Sequence, residues 1–215
     1  MKTWERVLYR IVRNTVVAFC RLFWRLRIDG VENIPATGAF IVAPVHRSNI
    51  DTLVVAGVAK RRMRYMGKAS LWKVKPAGRL FSALGAFPVN RGSADRDALR
   101  RCIEVVEAGE PLVIFPEGTR QSGPLIQPLF EGAAFVASRT GVPIVPVGIA
   151  GSEAAMPKGS KLVYPVKVRV VVGEPLDPPA AGPAGRAPRS AVHAVTEQLA
   201  TRLQELFDAA QARNV

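Results

Sequence analysis

The 215-residue chain is short of several things, and each shortage narrows its chemistry. Its two cysteines, Cys20 and Cys102, lie far apart with no C-x-x-C spacing, which speaks against a disulfide framework or a cysteine-held zinc and fits a reducing compartment. Its two histidines, His46 and His193, are not at metal-ligand spacing. There is no G-x-S-x-G and no G-x-G-x-x-G, and the MGKA at 66–69 lacks both the upstream glycine and the Ser/Thr of a phosphate-binding loop. No apolar run approaches the roughly 20 residues that span a bilayer. VVAFC follows Lys2, Arg6 and Arg10 as in a leader, but Arg13 and Arg21 interrupt its surroundings and leave it too short for a signal peptide. The sequence therefore predicts no transmembrane helix.

Acid is the other scarce commodity. Lys and Arg number 30 against 17 Asp and Glu, a net charge of +13, so an anionic partner is expected. Residues 52–94 contain no Asp or Glu at all, yet carry Lys60, Arg61, Arg62, Arg64, Lys68, Lys73, Lys75, Arg79 and Arg91. Leu71, Trp72, Leu80 and Phe81 are interleaved with them. A solvated charged face usually mixes signs, so this segment reads as an interface to anionic headgroups, although a nucleic-acid groove has the same composition. On a helical wheel Trp4, Leu8, Ile11, Phe19, Leu22 and Leu26 share one face and Arg6, Arg10, Arg13, Arg21 and Arg25 the other. That is an amphipathic basic helix, either packed on the domain or attached to a membrane surface.

Apolar runs at 39–45, 86–89, 112–115, 143–149 and 166–172 read as buried strands. Helical segments alternate with them: one capped by Ser93, with Asp95 and Asp97 in its first turn, and another in FEGAAFVASRT stopped by Gly141. The alternation predicts a single α/β domain with helices on the faces of a sheet. Residues 1–27 form the basic helix and 28–175 the main domain. Five prolines and two glycines make 176–189 and its approach a linker, and 190–215 a final amphipathic helix capped by Ser190 on the stripe Val192, Val195, Leu199, Leu203 and Leu206. His193 falls off that stripe and reads as an exposed residue, not a ligand.

One constellation carries chemistry. His46 and Asp51 follow the strand AFIVAPV. On one continuous helix five residues would set them about 140° apart, so His46 must lie in the turn, with a helix starting near Ser48 or Asn49 that lets Asp51 fold back on the imidazole. The pair is then a base with its orienter; the plainer alternative is a strand-end histidine and a helix-start aspartate. FPEGTR, 115–120, puts Glu117 and Arg120 at another strand end, and GAFPVNRG, 85–92, does the same for Arg91. Strand ends are where α/β sheets place sites, and guanidinium forks suit phosphate oxygens. Ser48 is a nucleophile by chemistry but fits better as a helix cap. Backbone N–H groups at the helix start after His46 offer an oxyanion site.

With these blocks assembled, the chain resembles the lysophosphatidic acid acyltransferase (1-acylglycerol-3-phosphate acyltransferase, PlsC-like) family over residues 25–175. The resemblance rests on the H-x-x-x-x-D of His46 to Asp51, on Gly85 to Arg91, on FPEGTR, and on VPIVPV at 142–147. Val45 stands where the family often has Asn, and Gln121 where Ser is common. The resemblance implies the glycerolipid acyltransferase fold, a mixed central sheet flanked by helices behind a membrane-associating N-terminal helix. It implies His46 as general base and Asp51 as its orienter, with no metal, no cofactor and no covalent acyl-enzyme. Arg91, Arg120 and Lys68 would hold the acceptor's phosphate, and Glu117, Gly118 and Thr119 would shape its pocket. The expected partners are lysophosphatidic acid, acyl-CoA or acyl carrier protein, and anionic lipid at the cytoplasmic membrane face, with no nucleic acid. Other acceptors, such as glycerol 3-phosphate or a different lysolipid, remain open, as does a basic nucleic-acid-binding protein.

Overall fold

In a computed structural model, residues 3–89, 96–182 and 185–214 are described. Among these residues seven strands form one sheet: β1 (Arg27–Asp29), β2 (Ile41–Pro44), β3 (Arg64–Lys68), β4 (Ala86–Val89), β5 (Leu112–Val113), β6 (Ile144–Ala150) and β7 (Arg169–Val172). Their spatial order is β1-β7-β6-β2-β5-β3-β4, and every pairing is parallel except β6 with β7. Parallel neighbours need crossovers, which place helices on the sheet faces and bury the central strands on both sides. Hence β2 and β6 are buried at every position, as their uninterrupted apolar runs foretell. The sheet is mixed and flanked by helices, as expected.

Among the described residues seven α-helices accompany it: α1 (Thr3–Phe23), α2 (Asp51–Val55), α3 (Lys75–Ala83), α4 (Arg96–Glu107), α5 (Gly132–Thr140), α6 (Ser152–Ala155) and α7 (Arg189–Ala212). Ser93 and Asp95, the expected start of α4, lie outside the described residues. Gly141 ends α5 with φ 68°, the left-handed conformation that a Cβ disfavours. Ser190 is not a cap: α7 begins one residue earlier, behind Pro188. Beyond the proline-rich segment α7 returns to the sheet, burying Val192, Leu199, Leu203 and Phe207 against β6 and β7. A Cβ at Gly148 in β6 would run into the backbone of Leu206, so the glycine sets how closely this helix can lie.

The N-terminal helix ends at Phe23, so Arg25 and Leu26 of the expected wheel lie beyond it and Leu26 is buried, but most of the apolar stripe on the helix itself is left uncovered. The helix packs through Tyr9, Val17 and Cys20, while Trp4, Ile11 and Leu22 remain 57%, 59% and 83% exposed. Among the described residues no helix is long and apolar enough to cross a membrane.

Cys20 and Cys102 are free and fully buried, and burial pushes their thiols up to about 11 and about 12. Thiolate is the reactive form, so the native protein at pH 8 should resist a thiol reagent that labels both cysteines once denaturant is added. Rapid labelling of either in the native state would contradict this packing.

Candidate active site

The parallel strands β2, β5, β3 and β4 all end at one edge of the sheet, and the segments leaving them carry the residues singled out from the sequence. Val45 continues the ladder, donating its N–H to Val147 O at 3.0 Å, and the chain turns at His46. That turn is pinned from both sides by the segment after β5. Glu117 Oε2 accepts the His46 N–H at 2.7 Å, and the Gln121 N–H donates to the His46 carbonyl at 2.8 Å. The imidazole lies against the Phe115 ring, centroids 4.2 Å apart.

Asp51 is the first residue of α2 and is completely buried. Its Oδ2 lies 3.0 Å from His46 Nδ1 and accepts the N–H groups of Arg47 and Ser48 at 2.7 Å each. A carboxylate oxygen in this position accepts, so Nδ1 carries the proton and Nε2 keeps its lone pair. The sequence places the helix start near Ser48 or Asn49. It is displaced to Asp51 because that carboxylate closes the preceding turn by taking its N–H groups.

Two expectations change as a result. The N–H groups of Arg47 and Ser48 are engaged by Asp51, so they cannot serve an oxyanion. Ser48 is neither nucleophile nor cap: its side chain is buried, its hydroxyl donates to Met156 O at 2.8 Å, and α2 has no side-chain cap bond.

Glu117, expected in the pocket, is only 2% exposed, and its carboxylate faces inward. Besides the His46 N–H it binds Arg47 Nη1 at 3.1 Å, an ion pair with both side chains out of water. Gly118 takes φ 70° and a Cβ there would strike the Phe130 ring, so the chain can reverse after Glu117 only with glycine. Gly118 and Thr119 are exposed, and Arg120 is half-buried with no ion pair among the described residues. Lys68, exposed, ends β3 two strands away from His46, and it too has no ion pair among the described residues. Arg91 lies outside the described residues. His193 is exposed beside Glu131 at 3.4 Å, and among the described residues no cluster could hold a metal.

Sequence reasoning passed over Arg47. It is 1% exposed, reaches Leu125 O at 2.9 Å through Nη2 and lies 4.9 Å from the Phe207 ring of α7. The available signal was a charge balance: an arginine beside the candidate base and one acid in FPEGTR. Their separation of 70 residues hides it.

This geometry, a buried carboxylate orienting an imidazole at a sheet edge with free cations near by, suits deprotonation of a hydroxyl beside an anionic group. Residues 25–150 match the family described as Acyltransferase, and the chain belongs to that family. It is 29% identical over 200 residues to a 1-acyl-sn-glycerol-3-phosphate acyltransferase of Bacillus subtilis, spanning 93% of this chain and 96% of that one. A chloroplastic 1-acyl-sn-glycerol-3-phosphate acyltransferase of Brassica napus is 30% identical over 158 residues, 72% of this chain and 46% of the relative. Among solved structures, the 1-acyl-sn-glycerophosphate (LPA) acyltransferase PlsC of Thermotoga maritima superposes with a TM-score of 0.75 at 27% identity, covering 97% of this chain and 84% of that one.

Removing one partner of a buried ion pair leaves an uncompensated charge and costs roughly 3–5 kcal/mol. Glu117→Gln should therefore lower the unfolding free energy by about that much, measured by urea titration. Adding Arg47→Met should recover part of the loss. Additive losses in the double variant would show that the pair is not coupled.

Proposed function

We propose that the protein transfers a fatty acyl group from acyl-CoA or acyl carrier protein to the free hydroxyl of 1-acylglycerol 3-phosphate, giving phosphatidic acid for phospholipid synthesis. The observation that carries the reading is the His46–Asp51 contact of 3.0 Å on a turn whose backbone is held from both sides. The substrate assignment is supported by relatives that carry that name and span the chain.

In this reaction His46 Nε2 takes the hydroxyl proton as the oxygen attacks the thioester carbonyl. Asp51 stabilises the imidazolium that forms. Collapse of the tetrahedral intermediate breaks the carbon–sulfur bond, and the departing thiolate recovers the proton from His46, leaving an ester and a free thiol. The reaction draws on no metal or further cofactor. Arg120 and Lys68 are the cations free to hold the acceptor's phosphate, with Arg91 the third candidate. Unlike Arg47, neither Arg120 nor Lys68 is in an ion pair with a carboxylate among the described residues.

Both substrates carry lipid chains, and the surface suits a lipid interface. The exposed stripe Trp4, Ile11 and Leu22 of α1 is joined by Leu71, Val74 and Leu80 at 48%, 63% and 45% exposure. Trp4 and Trp72 line one groove, which brings the first turn of α1 beside the acid-free segment. Arg62 and Arg64 of the acid-free segment share the single carboxylate of Glu110. Lys60, Lys68, Lys73, Lys75 and Arg79 remain exposed and without ion pairs among the described residues. In this reading α1 and the basic segment lie on the cytoplasmic membrane face, anchored monotopically.

General-base catalysis is typically worth ~10²–10⁴ in rate. His46→Ala and Asp51→Asn should each remove most acyl transfer while the thermal transition survives, and near-normal turnover by His46→Ala would refute the mechanism. Arg120→Ala should lower kcat/KM for lysophosphatidate roughly 10- to 150-fold, the worth of a charge-assisted hydrogen bond, and change little with monoacylglycerol. Equal losses on both acceptors would remove Arg120 from the phosphate site. Cys20 and Trp24 are core residues, so the membrane test avoids truncation. Ile11→Ser with Leu22→Ser should weaken pelleting with phosphatidylglycerol vesicles by about tenfold or more, since burying one such side chain is worth roughly 1.5–3 kcal/mol. Undiminished pelleting would make the exposed stripe irrelevant to attachment.

A further inference from the structure

A cavity of about 640 Å³ lies between α1 and the segment joining α2 to β3. It is remote from His46 by topology. Its floor comes from residues 57–61, which lead into the start of β3, and from 31–36, which precede β2. Both segments lie at the sheet edge opposite the strand ends that carry the catalytic turn. The size is that of a small-ligand site.

The lining is cationic and apolar. Arg13, Arg21, Lys60 and Arg61 face it together with Val17 and Pro35, and no acid contributes. The acids nearest in sequence, Asp29 and Glu32, line a separate groove with Arg213. Arg13 is a fixed wall, its guanidinium bonded to Ala56 O at 3.1 Å and Gly57 O at 3.4 Å. Arg61 stands over the Phe40 ring with Nη1 buried and without a hydrogen-bond partner. Arg21 and Lys60 are exposed and in no ion pair among the described residues. Arg21, Lys60 and Arg61 converge on one cavity with no acid in its lining, a cluster that suits an anion.

The position of the cavity says which anion. Ala18 lines it and also belongs to the α1 stripe, seven residues after Ile11 and four before Leu22, so the mouth opens beside the apolar face. We propose that this cavity binds the phosphate-bearing headgroup of a membrane phospholipid, whose chains run along the α1 stripe. The proposal rests on the reading that α1 lies on the membrane. It adds a lipid site separate from the acceptor site, at which an anionic lipid, the reaction product included, docks the enzyme. Arg21 and Lys60 grip the phosphate from the rim and Arg61 from below.

The test compares two charge-matched pairs, each removing one α1 cation and one basic-segment cation: Arg21→Gln with Lys60→Gln, and Arg10→Gln with Lys73→Gln. Binding is read by pelleting with phosphatidylcholine vesicles doped with phosphatidic acid, and hydrogen exchange follows residues 57–61. The cavity pair should lose roughly tenfold more binding than the control pair, the worth of one charge-assisted hydrogen bond beyond general attraction. Doped vesicles should slow exchange at 57–61 in the unsubstituted protein and much less in the cavity pair. Both pairs should turn over a water-soluble short-chain acceptor normally without vesicles. Equal losses in the two pairs, or unaltered exchange at 57–61 in fully pelleted protein, would overturn the site. Protection of 57–61 by inorganic phosphate alone would overturn the lipid as its source. Failure of the unsubstituted protein to pellet at all would overturn the membrane reading of α1, and this proposal with it.

Discussion

The Glu117 carboxylate fastens together the segments that leave two neighbouring strands, β2 and β5, beyond the last rungs of their ladder. One of its oxygens takes the His46 N–H, and the other takes a guanidinium N–H of Arg47. The segment after β2 is thereby fastened to the segment after β5. Arg47 extends the connection to the loop at Leu125 and to Phe207 of α7. The charge pair is out of water, where an ion pair is costly unless its remaining donors and acceptors are met. Here backbone groups of His46, Gln127 and Leu125 meet part of that need and are fixed by it, while Arg47 Nε stays buried without a partner. A structural carboxylate thus sets the backbone from which the imidazole projects, and a second carboxylate, Asp51, sets the ring.

The two acids divide the work by location. Asp51 sits in the same turn as the histidine and acts locally, by gathering N–H groups at one oxygen. Glu117 acts across 71 residues of sequence and joins two strand ends. Parallel strands make this economical, because β2, β5 and β3 are neighbours whose ends fall at a single edge. Under the proposed function, Arg120, which follows β5, and Lys68, which ends β3, would face the acceptor from the strand ends beside the base.

What was readable in the sequence followed from local pattern. The long apolar runs marked β2, β4, β5, β6 and β7, and the spacing of His46 to Asp51 required a turn. Two strands were not foreseen. β1 is the three residues Arg27–Asp29, and β3, RYMGK, has no apolar run and is nowhere fully buried. These strands exist because a neighbour offers backbone partners, as Val170 and Val113 do, and pairing of that kind leaves no trace in hydropathy. The inward role of Glu117 was hidden for a similar reason: its partner Arg47 is remote in sequence. The wheel of α1 identified the apolar stripe, but only packing shows that the stripe faces outward and that Tyr9, Val17 and Cys20 hold the helix down.

The excess of positive charge takes on meaning through this arrangement. Some cations are structural, as Arg47, Arg62 and Arg64 are in their ion pairs, while Lys73, Lys75 and Arg79 stand exposed in the same stretch as the exposed Leu71, Val74 and Leu80. The account nevertheless turns on one proton. If Asp51 holds the imidazole as described, His46 carries its proton on Nδ1 and presents a bare Nε2. With only two histidines in the chain, the other exposed on α7, long-range nitrogen–proton NMR correlation of the ring nitrogens can assign each tautomer directly. The neutral His46 should show the Nδ1–H form in the native protein and lose that preference in Asp51→Asn. A native His46 protonated on Nε2 would contradict the account, because the nitrogen meant to take the acceptor's proton would already hold one.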